Sequence, residues 1–288
     1  PQLRPKVRRA AVNDRYLHES GTSDYVHHRH AGNVGDVWKH LVLEALLDAL
    51  LAADDPLRVV ETHAGAGAYE LNVTGEWTEG VGRLIALDSA PSLVERLLHR
   101  QPIRSGDRIY RGSPLLVADR LRPHDSAIFY EINPEVADEL RAHLGDARGS
   151  VATGDGRRAL EELPETGGRT LVHIDPPWTA KRDWTEIPDE LVGCAARFPN
   201  AVIALWYPIK SYTRVHSMIA RIRARGLRLT ALELLTSPLD ERKNRLNGSG
   251  MLIVGCPPGV VASVSAVAPV VGVACAIRDW WRYTAEEG

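Results

Sequence analysis

The stretch LRVVETHAGAGAYEL, residues 57–71, places a short apolar run directly before a glycine-rich turn. A short apolar run bounded by turn residues is typical of a strand in a sheet that is covered on both faces. Glycines such as Gly65 and Gly67 let the backbone approach a ligand and leave the N–H groups of the following element open toward it. On its own the pattern fits a plain tight turn equally well, so the rest of the chain has to decide.

Further apolar runs follow, and helical patterns separate most of them. Strands are predicted at 57–62, 126–132, 149–155, 170–178, 201–208, 227–235 and 250–258, and helices at 36–53, 134–144, 157–163, 183–198 and 212–225. This alternation predicts an α/β fold of the Rossmann-like class with a mostly parallel, seven-stranded sheet. No helical pattern separates the last two strands, so we expect a hairpin to close one edge of the sheet.

The spacing after the glycine turn is unusually long. In this fold an acid that ends the second strand comes about 20 residues after the turn. Here the next strand ending in an acid is 126–132, with Glu131. The excess of roughly 40 residues over that spacing predicts a helical insertion at about 69–109, packed over the site.

Net charge, cysteine spacing and the histidines limit which partners, disulfides and metals can be expected. The formal net charge of −2 gives no global attraction to nucleic acid, so such a partner would have to meet local basic patches. The three cysteines have neither disulfide nor metal spacing, which favours free thiols in a reducing compartment and a cytoplasmic location. The histidines near the start of the chain lack a carboxylate or cysteine at ligand spacing, so no metal is expected.

Two segments need a check for targeting or membrane insertion. Residues 1–24 are basic but no apolar segment follows, which predicts a basic N-terminal extension and not a secretory signal. The run from Val260 to Ile277 is uncharged, but Pro269 and Gly272 interrupt it, and we interpret it as buried core and not as a membrane span. The sequence leaves the oligomeric state open.

Acids follow successive predicted strands. Glu131 could accept hydrogen bonds from ribose hydroxyls, and Asp155 could meet an adenine amine, although a solvated strand end and a helix cap explain them separately. Together with the glycine turn they describe a nucleoside-binding crevice for a dinucleotide or S-adenosylmethionine. Glu70 stands where the dinucleotide fingerprint wants a third glycine, which disfavours a nicotinamide-dependent dehydrogenase.

The hexapeptide HIDPPW, residues 173–178, ends the fourth strand. An acidic strand end with proline at a helix start is the plain interpretation. Asp-Pro-Pro-aromatic is also the signature of methyltransferases acting on amines conjugated to a planar ring, chiefly adenine N6. Such an amine is a poor nucleophile and needs acceptors for its N–H groups. Asp175 and the Pro176 carbonyl would supply them, and Trp178 would stack on a flipped-out base.

Several motifs carry a resemblance to one family. In chain order they are YVHHRHAGNVGDVWKHLVLEALL (25–47), THAGAGAYEL (62–71), GSP (112–114), EINP (131–134), DGRRAL (155–160), HIDPPW (173–178), ALWYPI (204–209) and SGMLIVGCPP (249–258). They resemble the RlmJ-type adenine-N6 methyltransferases of 23S ribosomal RNA. The resemblance covers about Tyr25 to Pro258 and implies a class I methyltransferase domain, which we expect to extend over 25–288 although the tail after Gly259 is barely comparable. It departs from the family in Trp178, where the motif usually ends in tyrosine, and in the extension before Tyr25.

The resemblance also implies site residues. Those matched to S-adenosylmethionine binding are His40, His63, Ser113, Glu131, Asp155, Gly156 and Asp175, beside the turn glycines Gly65 and Gly67. Tyr25 is matched to contact with the substrate adenine, with His27 and Lys39 nearby. Asp175 is also matched to the catalytic position. The implied partner is a hairpin of protein-free 23S ribosomal RNA, without a membrane or a metal.

Alternatives remain open from the residues alone. A DNA adenine-N6 methyltransferase would use the same chemistry, although no separate module for reading duplex DNA is evident. A non-catalytic RNA-binding protein would keep only the basic patches. The stretch 210–228 holds six basic residues and no acid, and fits either a solvated helix face or a phosphate-tracking surface, which 240–245 and the N-terminal arm (Arg4, Lys6, Arg8 and Arg9) would extend.

Overall fold

The computed structural model describes residues 30–162, 169–239 and 246–288. In these ranges the elements follow in this order: α1 (Val34–Leu51), β1 (Leu57–Glu61), β2 (Ala68–Glu70), α2 (Val81–Ile85), α3 (Ser92–His99), β3 (Ile109–Arg111), α4 (Ser113–Ala118), β4 (Ser126–Glu131), α5 (Pro134–Leu144), β5 (Ser150–Thr153), α6 (Gly156–Glu162), β6 (Arg169–Ile174), α7 (Asp183–Arg197), β7 (Val202–Ile209), α8 (Tyr212–Arg223), β8 (Thr230–Leu235), β9 (Gly248–Val254), α9 (Val260–Cys275) and β10 (Arg282–Glu287). Short 3₁₀ turns lie at Glu76–Glu79 and Pro102–Ser105.

One sheet organises the molecule. Its strand order is β10-β8-β9-β7-β6-β1-β4-β5. The five strands from β7 to β5 in this order are mutually parallel, and β9 runs antiparallel to both β7 and β8. The predicted Rossmann-like α/β class is therefore confirmed. All seven predicted strands are present, although β8 begins later than the pattern indicated.

The edge of the sheet differs from the prediction in two ways. The sheet has eight strands, because β10 pairs antiparallel with β8. The hairpin of β8 and β9 does not close the edge, since β9 lies between β7 and β8. The sequence of β10, RYTAEE, is polar and largely exposed, as an edge strand can be. A search for apolar runs therefore misses it.

Helices cover both faces of the sheet. One layer contains α1 and α9, which pack against each other, and the other contains α7 and α8. Helix α1 is buried over most of its length, and its Trp38 Nε1 donates to the Leu232 carbonyl oxygen at 3.0 Å. The uncharged run from Val260 forms α9 and contributes Val264, Ala268 and Val271 to the core, as predicted. Among the described residues, no helix has both the length and the apolarity needed to cross a bilayer.

The segment predicted as an insertion lies between β1 and β4. It contains α2, α3 and both 3₁₀ turns, together with a two-stranded sheet of β2 and β3. Its Leu84 and Leu97 are fully buried in the same core cluster as α1. Arg100 Nη1 donates to the fully buried Glu44 of α1 at 2.6 Å. The segment is thus fastened to the α1 layer, and its description as a separate subdomain stays a prediction.

Candidate active site

The predicted acids meet at one edge of the sheet. Glu131 is the last residue of β4, Asp155 follows β5 by two positions, and Asp175 directly follows β6. The glycine turn follows β1, which is hydrogen-bonded to both β4 and β6. Because these strands are parallel, their carboxyl ends lie side by side, which is where ligands bind in open α/β sheets.

The glycine turn is locked to Glu131. Gly65 Nα–H donates to Glu131 Oε2 at 2.9 Å, and Asn133 Nα–H donates to Oε1 at 2.9 Å. Gly67 has φ +78°, and a Cβ there would lie 2.6 Å from Leu140 Cδ1. Each carboxylate oxygen has two lone pairs, so Glu131 keeps acceptor capacity for a ligand. The predicted ribose acceptor therefore also holds the turn in place.

The other end of the crevice is formed by Asp155, Gly156 and His63. Asp155 Oδ1 accepts from Arg157 Nα–H at 3.0 Å, so the helix cap considered above is present. The side chain of Asp155 is 38% exposed, and its Oδ2 lies 4.0 Å from Nε of the exposed Arg158. Gly156 packs so closely that a Cβ would lie 2.4 Å from the Thr62 carbonyl oxygen. Burial lowers the pKa of His63 to about 4, so its imidazole is neutral at pH 7.

His40 and Ser113 lie deeper than a ligand-contact role alone would require. His40 is 1% exposed, and its Nδ1 is 2.7 Å from Tyr110 Oη. Ser113 is 5% exposed and donates from Oγ to Glu61 Oε1. Both side chains therefore take part in internal hydrogen bonds behind the crevice. Their predicted contact with a cofactor stays a prediction.

Glu61 is a site residue that the sequence reasoning missed. It is fully buried at the end of β1, and its Oε1 lies 2.9 Å from His173 Nδ1 as well as near Ser113. Buried carboxylates are rare unless they are paired, so this network has a structural cost that a functional role would explain. The signal was available, because Glu61 is an acid at a strand end directly before the glycine turn.

Asp175 is paired with a buried lysine. Lys39 Nζ lies 2.5 Å from Asp175 Oδ2 and 2.8 Å from Asp36 Oδ1. Burial alone would lower the pKa of Lys39, but the two carboxylates outweigh burial and raise it well above its usual range. Lys39 is only 4% exposed, which differs from the predicted contact with RNA. The ammonium is enclosed between two carboxylates, and its contact with RNA stays a prediction.

Trp178 also differs from its predicted role as an open stacking surface. It is 9% exposed, and its Nε1–H donates to the Trp206 carbonyl oxygen at 3.0 Å. Its ring lies 4.4 Å from that of Trp184 between centroids, at an angle of 41°. The backbone of Trp178 has φ +54°, which is uncommon outside glycine and costs energy. The indole is held in the core by these contacts.

A second tryptophan lies closer to the Asp175–Lys39 pair. Ile174 of β6 pairs with Leu205 of β7, which places Asp175 beside Trp206 on the neighbouring strand. Lys39 Nζ is 5.7 Å from the centroid of the half-buried Trp206 ring. Trp206 was not predicted as a site residue. The available signal was the sequence ALWYP at the end of the strand that follows the Asp-Pro-Pro turn.

For the remaining predicted site residues, the structure gives few or no contacts. Pro176 is buried directly after Asp175, at the point where β6 ends. Tyr25 and His27 lie outside the described residues, as do the N-terminal arm and 240–245. In the part of the chain that the structure describes, no group of three or more histidine, cysteine, aspartate or glutamate side chains is arranged to hold a metal ion.

Comparison with known proteins gives consistent matches. A family model for ribosomal RNA large subunit methyltransferase D, RlmJ, matches residues 54–279. The Escherichia coli K12 protein ribosomal RNA large subunit methyltransferase J is 34% identical over 244 residues, covering 81% of this chain and 87% of that protein. The Haemophilus influenzae protein of the same name is 31% identical over 245 residues, with the same coverage.

A solved structure agrees with these sequence matches. The crystal structure of protein LPL1258 from Legionella pneumophila has a TM-score of 0.83 and 27% identity, and the alignment covers 90% of this chain and 98% of that one. The family match includes the glycine turn, Glu131, Asp155 and Asp175, whereas Lys39 and His40 precede its first residue. The similarity therefore extends over both the sheet and the crevice.

Proposed function

The chain belongs to the RlmJ family of ribosomal RNA large subunit methyltransferases, and from this premise we propose that it methylates N6 of an adenine in 23S ribosomal RNA. Membership of this family makes the protein a ribosomal RNA methyltransferase and excludes the nicotinamide-dependent alternative. The choice of adenine N6 as acceptor rests on the chemistry of the Asp175 turn. The remaining residues serve to bind the methyl donor and to align it with that acceptor.

S-adenosylmethionine is the methyl donor, and the crevice has suitable groups for it. The glycine turn gives close backbone access, and Glu131 has spare acceptor capacity for ribose hydroxyls. The partly exposed side chain of Asp155 would accept from an adenine amine. Because His63 is neutral at pH 7, it would not repel the positive sulfonium of the donor. These features support the fit, and the roles of the individual residues are part of the proposal.

Asp175 would act on the acceptor amine. When bound, the donor supplies an electrophilic methyl group on a sulfonium sulfur. Asp175 and the Pro176 carbonyl would accept the two N–H groups of adenine N6, so that the nitrogen lone pair turns toward the methyl carbon. The new N–C bond would form as the S–C bond breaks, and the N6 proton would leave through Asp175 to water. The protein contributes mainly alignment and electrostatics.

The observation that carries this proposal is the buried ion pair between Lys39 and Asp175 at the end of β6. The Lys39 ammonium lies 2.5 Å from Oδ2 and pairs with the carboxylate, whose oxygens accept hydrogen bonds. It also fixes the position of one oxygen and leaves the other for the amine. A carboxylate held in this way, beside a nucleoside crevice, is suited to an amine acceptor.

The test is methyl transfer from labelled S-adenosylmethionine to protein-free 23S rRNA that lacks the modification. Assembled large subunits and duplex DNA would be assayed in parallel. We expect label in the naked RNA, since recognition of a hairpin does not need ribosomal proteins. Label in DNA alone would favour the DNA adenine methyltransferase alternative. Absence of label from all three substrates, with intact binding of the donor, would contradict the proposal.

A further inference from the structure

Among the residues that the structure describes, the basic stretch 210–228 contains cations that pair with carboxylates and cations that do not. Arg221 and Arg225 both pair with Asp189 of α7, at 2.6 and 3.3 Å, and Arg223 lies 3.6 Å from Glu286 of β10. These three guanidinium groups are engaged by two carboxylates on neighbouring elements. They are therefore poor candidates for contact with a phosphate backbone.

Four other cations lie at the edge of the sheet that carries Asp175. We call them the rim cations: Lys181 and Arg182, directly before α7, and Lys210 and Arg214, at the start of α8. All four are exposed, and among the described residues none of them forms an ion pair or a side-chain hydrogen bond with an acid. The first turn of α8 contains no acidic residue.

Several carboxylates at this edge have partners within the protein. Asp183 accepts from Ala180 Nα–H at 2.9 Å, and Glu190 binds Arg157 through Nε at 2.6 Å. Asp36 and Asp175 share Lys39. The acids near the site are thus partly compensated within the protein, whereas the rim cations face solvent. This edge therefore carries exposed cations beside acids that have partners within the protein, on a chain whose formal net charge is −2.

The rim cations form two pairs on adjacent helices. Helices α7 and α8 pack against each other, and packed helices lie about 8–10 Å apart. Helix α7 follows β6 and helix α8 follows β7, so both begin toward the edge of the sheet at which Asp175 lies. An RNA strand whose adenine enters the crevice at Asp175 has to pass this edge.

We infer that the rim cations bind the phosphodiester backbone of the RNA on either side of the target adenine. This inference rests on the proposed function, because it takes Asp175 as the point of entry of the base. Phosphate contacts of this kind fix register and orientation, and they carry no base specificity of their own. They would supply affinity that the overall charge of the protein does not provide.

The test compares double variants with the same loss of charge. Lys181→Ala with Arg182→Ala and Lys210→Ala with Arg214→Ala each remove two rim cations. The matched control is Arg148→Ala with Arg228→Ala. These two are also exposed and without an ion pair in the described ranges, but they precede β5 and β8 at the opposite edge. Affinity for unmodified 23S rRNA would be measured over a range of salt concentrations.

We expect each rim variant to bind RNA about 10-fold more weakly near 0.1 M salt, with a salt slope smaller by about 1.4 for two lost contacts to a single strand. Lys210→Arg with Arg214→Lys should restore the slope. Binding of S-adenosylmethionine and thermal unfolding should match the wild type, because all four side chains are exposed. The control should keep the wild-type slope.

The outcomes distinguish failure of the rim inference from failure of the proposed function. If the wild type methylates RNA but the rim variants keep its affinity and slope, or the control loses as much as they do, the rim inference is overturned and the proposed function stands. If the wild type neither binds nor methylates RNA while binding S-adenosylmethionine, the proposed function falls, and the rim inference falls with it.

Discussion

Lys39 Nζ lies 2.5 Å from Asp175 Oδ2, and the same ammonium lies 2.8 Å from Asp36. Helix α1 thereby reaches across the edge of the sheet to fix the carboxylate that ends β6. Lys39 is almost fully buried, so its replacement would leave both carboxylates without this counter-charge. The relationship joins the first described helix to the acid on which the proposed reaction depends.

Replacement of Asp175 should separate chemistry from binding of the donor. In Asp175→Asn the side chain keeps its shape but loses a negative charge and one acceptor oxygen. We expect the rate of methyl transfer at saturating S-adenosylmethionine to fall at least about 100-fold, a larger loss than the loss of affinity for the donor. Asp189→Asn, which removes an exposed acid away from the crevice, is the control in the same assay. A variant at position 175 with the wild-type rate would remove this carboxylate from the mechanism.

Glu131→Gln tests the link between the glycine turn and the cofactor. Both oxygens of Glu131 accept backbone N–H groups, whereas an amide has one accepting oxygen and one donating nitrogen. One partly buried N–H would lose its acceptor, and we expect affinity for S-adenosylmethionine to fall about 10-fold by calorimetry. Glu135→Gln, in the first turn of α5, should bind normally. Equal affinities for the two variants would contradict the role of Glu131.

Gly67→Ala tests the packing of the turn. Gly67 and Gly226 have nearly the same φ, +78° and +84°, but a Cβ at Gly67 would lie 2.6 Å from Leu140 Cδ1, whereas at Gly226 nothing lies within 4 Å. Gly226→Ala should show only backbone strain, about 1 kcal/mol of the free energy of unfolding. Gly67→Ala should lose about 1–3 kcal/mol more, because it overpacks the site. Chemical denaturation of both variants measures the difference, and equal losses would show that the contact with Leu140 relaxes without cost.

The main effect of Trp178→Ala should be a lower free energy of unfolding, and not a direct effect on turnover. The ring is buried against Trp184 and donates to the Trp206 carbonyl, so truncation should cost about 3–5 kcal/mol in the free energy of unfolding. Trp178→Phe keeps most of the packing and loses the hydrogen bond, so we expect about 1 kcal/mol. If urea denaturation shows no loss in either variant while turnover falls, Trp178 stacks on the base as its motif first suggested.

The imidazole of His63 should make stability depend on pH. Its pKa is lowered to about 4 in the folded state, below the unfolded value of about 6.5. Between these values the unfolded chain binds the proton and the folded protein does not, so stability falls as pH drops through this window and levels off below it. His63→Gln should reduce this fall by about 3 kcal/mol. His124→Gln, an exposed position, is the control, and identical pH profiles for wild type and His63→Gln would contradict the shift.

The sequence predicted the parts of the fold that depend on local pattern. The strands of the parallel half, helix α5 with its matching bounds, and the acids at the strand ends all follow from apolar runs, turn residues and the one-edge rule of parallel sheets. The sequence does not predict that β9 lies between β7 and β8 or that β10 lies at the edge. These positions depend on pairing between segments that are distant in the chain. A polar edge strand such as β10 has no apolar signature to read.

The same limit applies to the site. Asp175 and Glu131 could be predicted because each is an acid at the end of an apolar run. Glu61 is also an acid at the end of such a run, but it was not predicted as a site residue. The partnership of Asp175 with Lys39 was not predicted, because it joins residues 136 positions apart. Whether a side chain is open or enclosed is decided by tertiary packing, which is why Lys39 and Trp178 were both expected to face the substrate.

The most direct test of the central claim is the identity of the methylated nucleoside. Unmodified 23S rRNA would be treated with wild-type protein and with Asp175→Asn, digested to nucleosides, and separated by chromatography with mass detection. The account predicts N6-methyladenosine from the wild type and at least about 100-fold less from the variant. A methyl group on another base or on ribose, or equal N6-methyladenosine from both proteins, would contradict it.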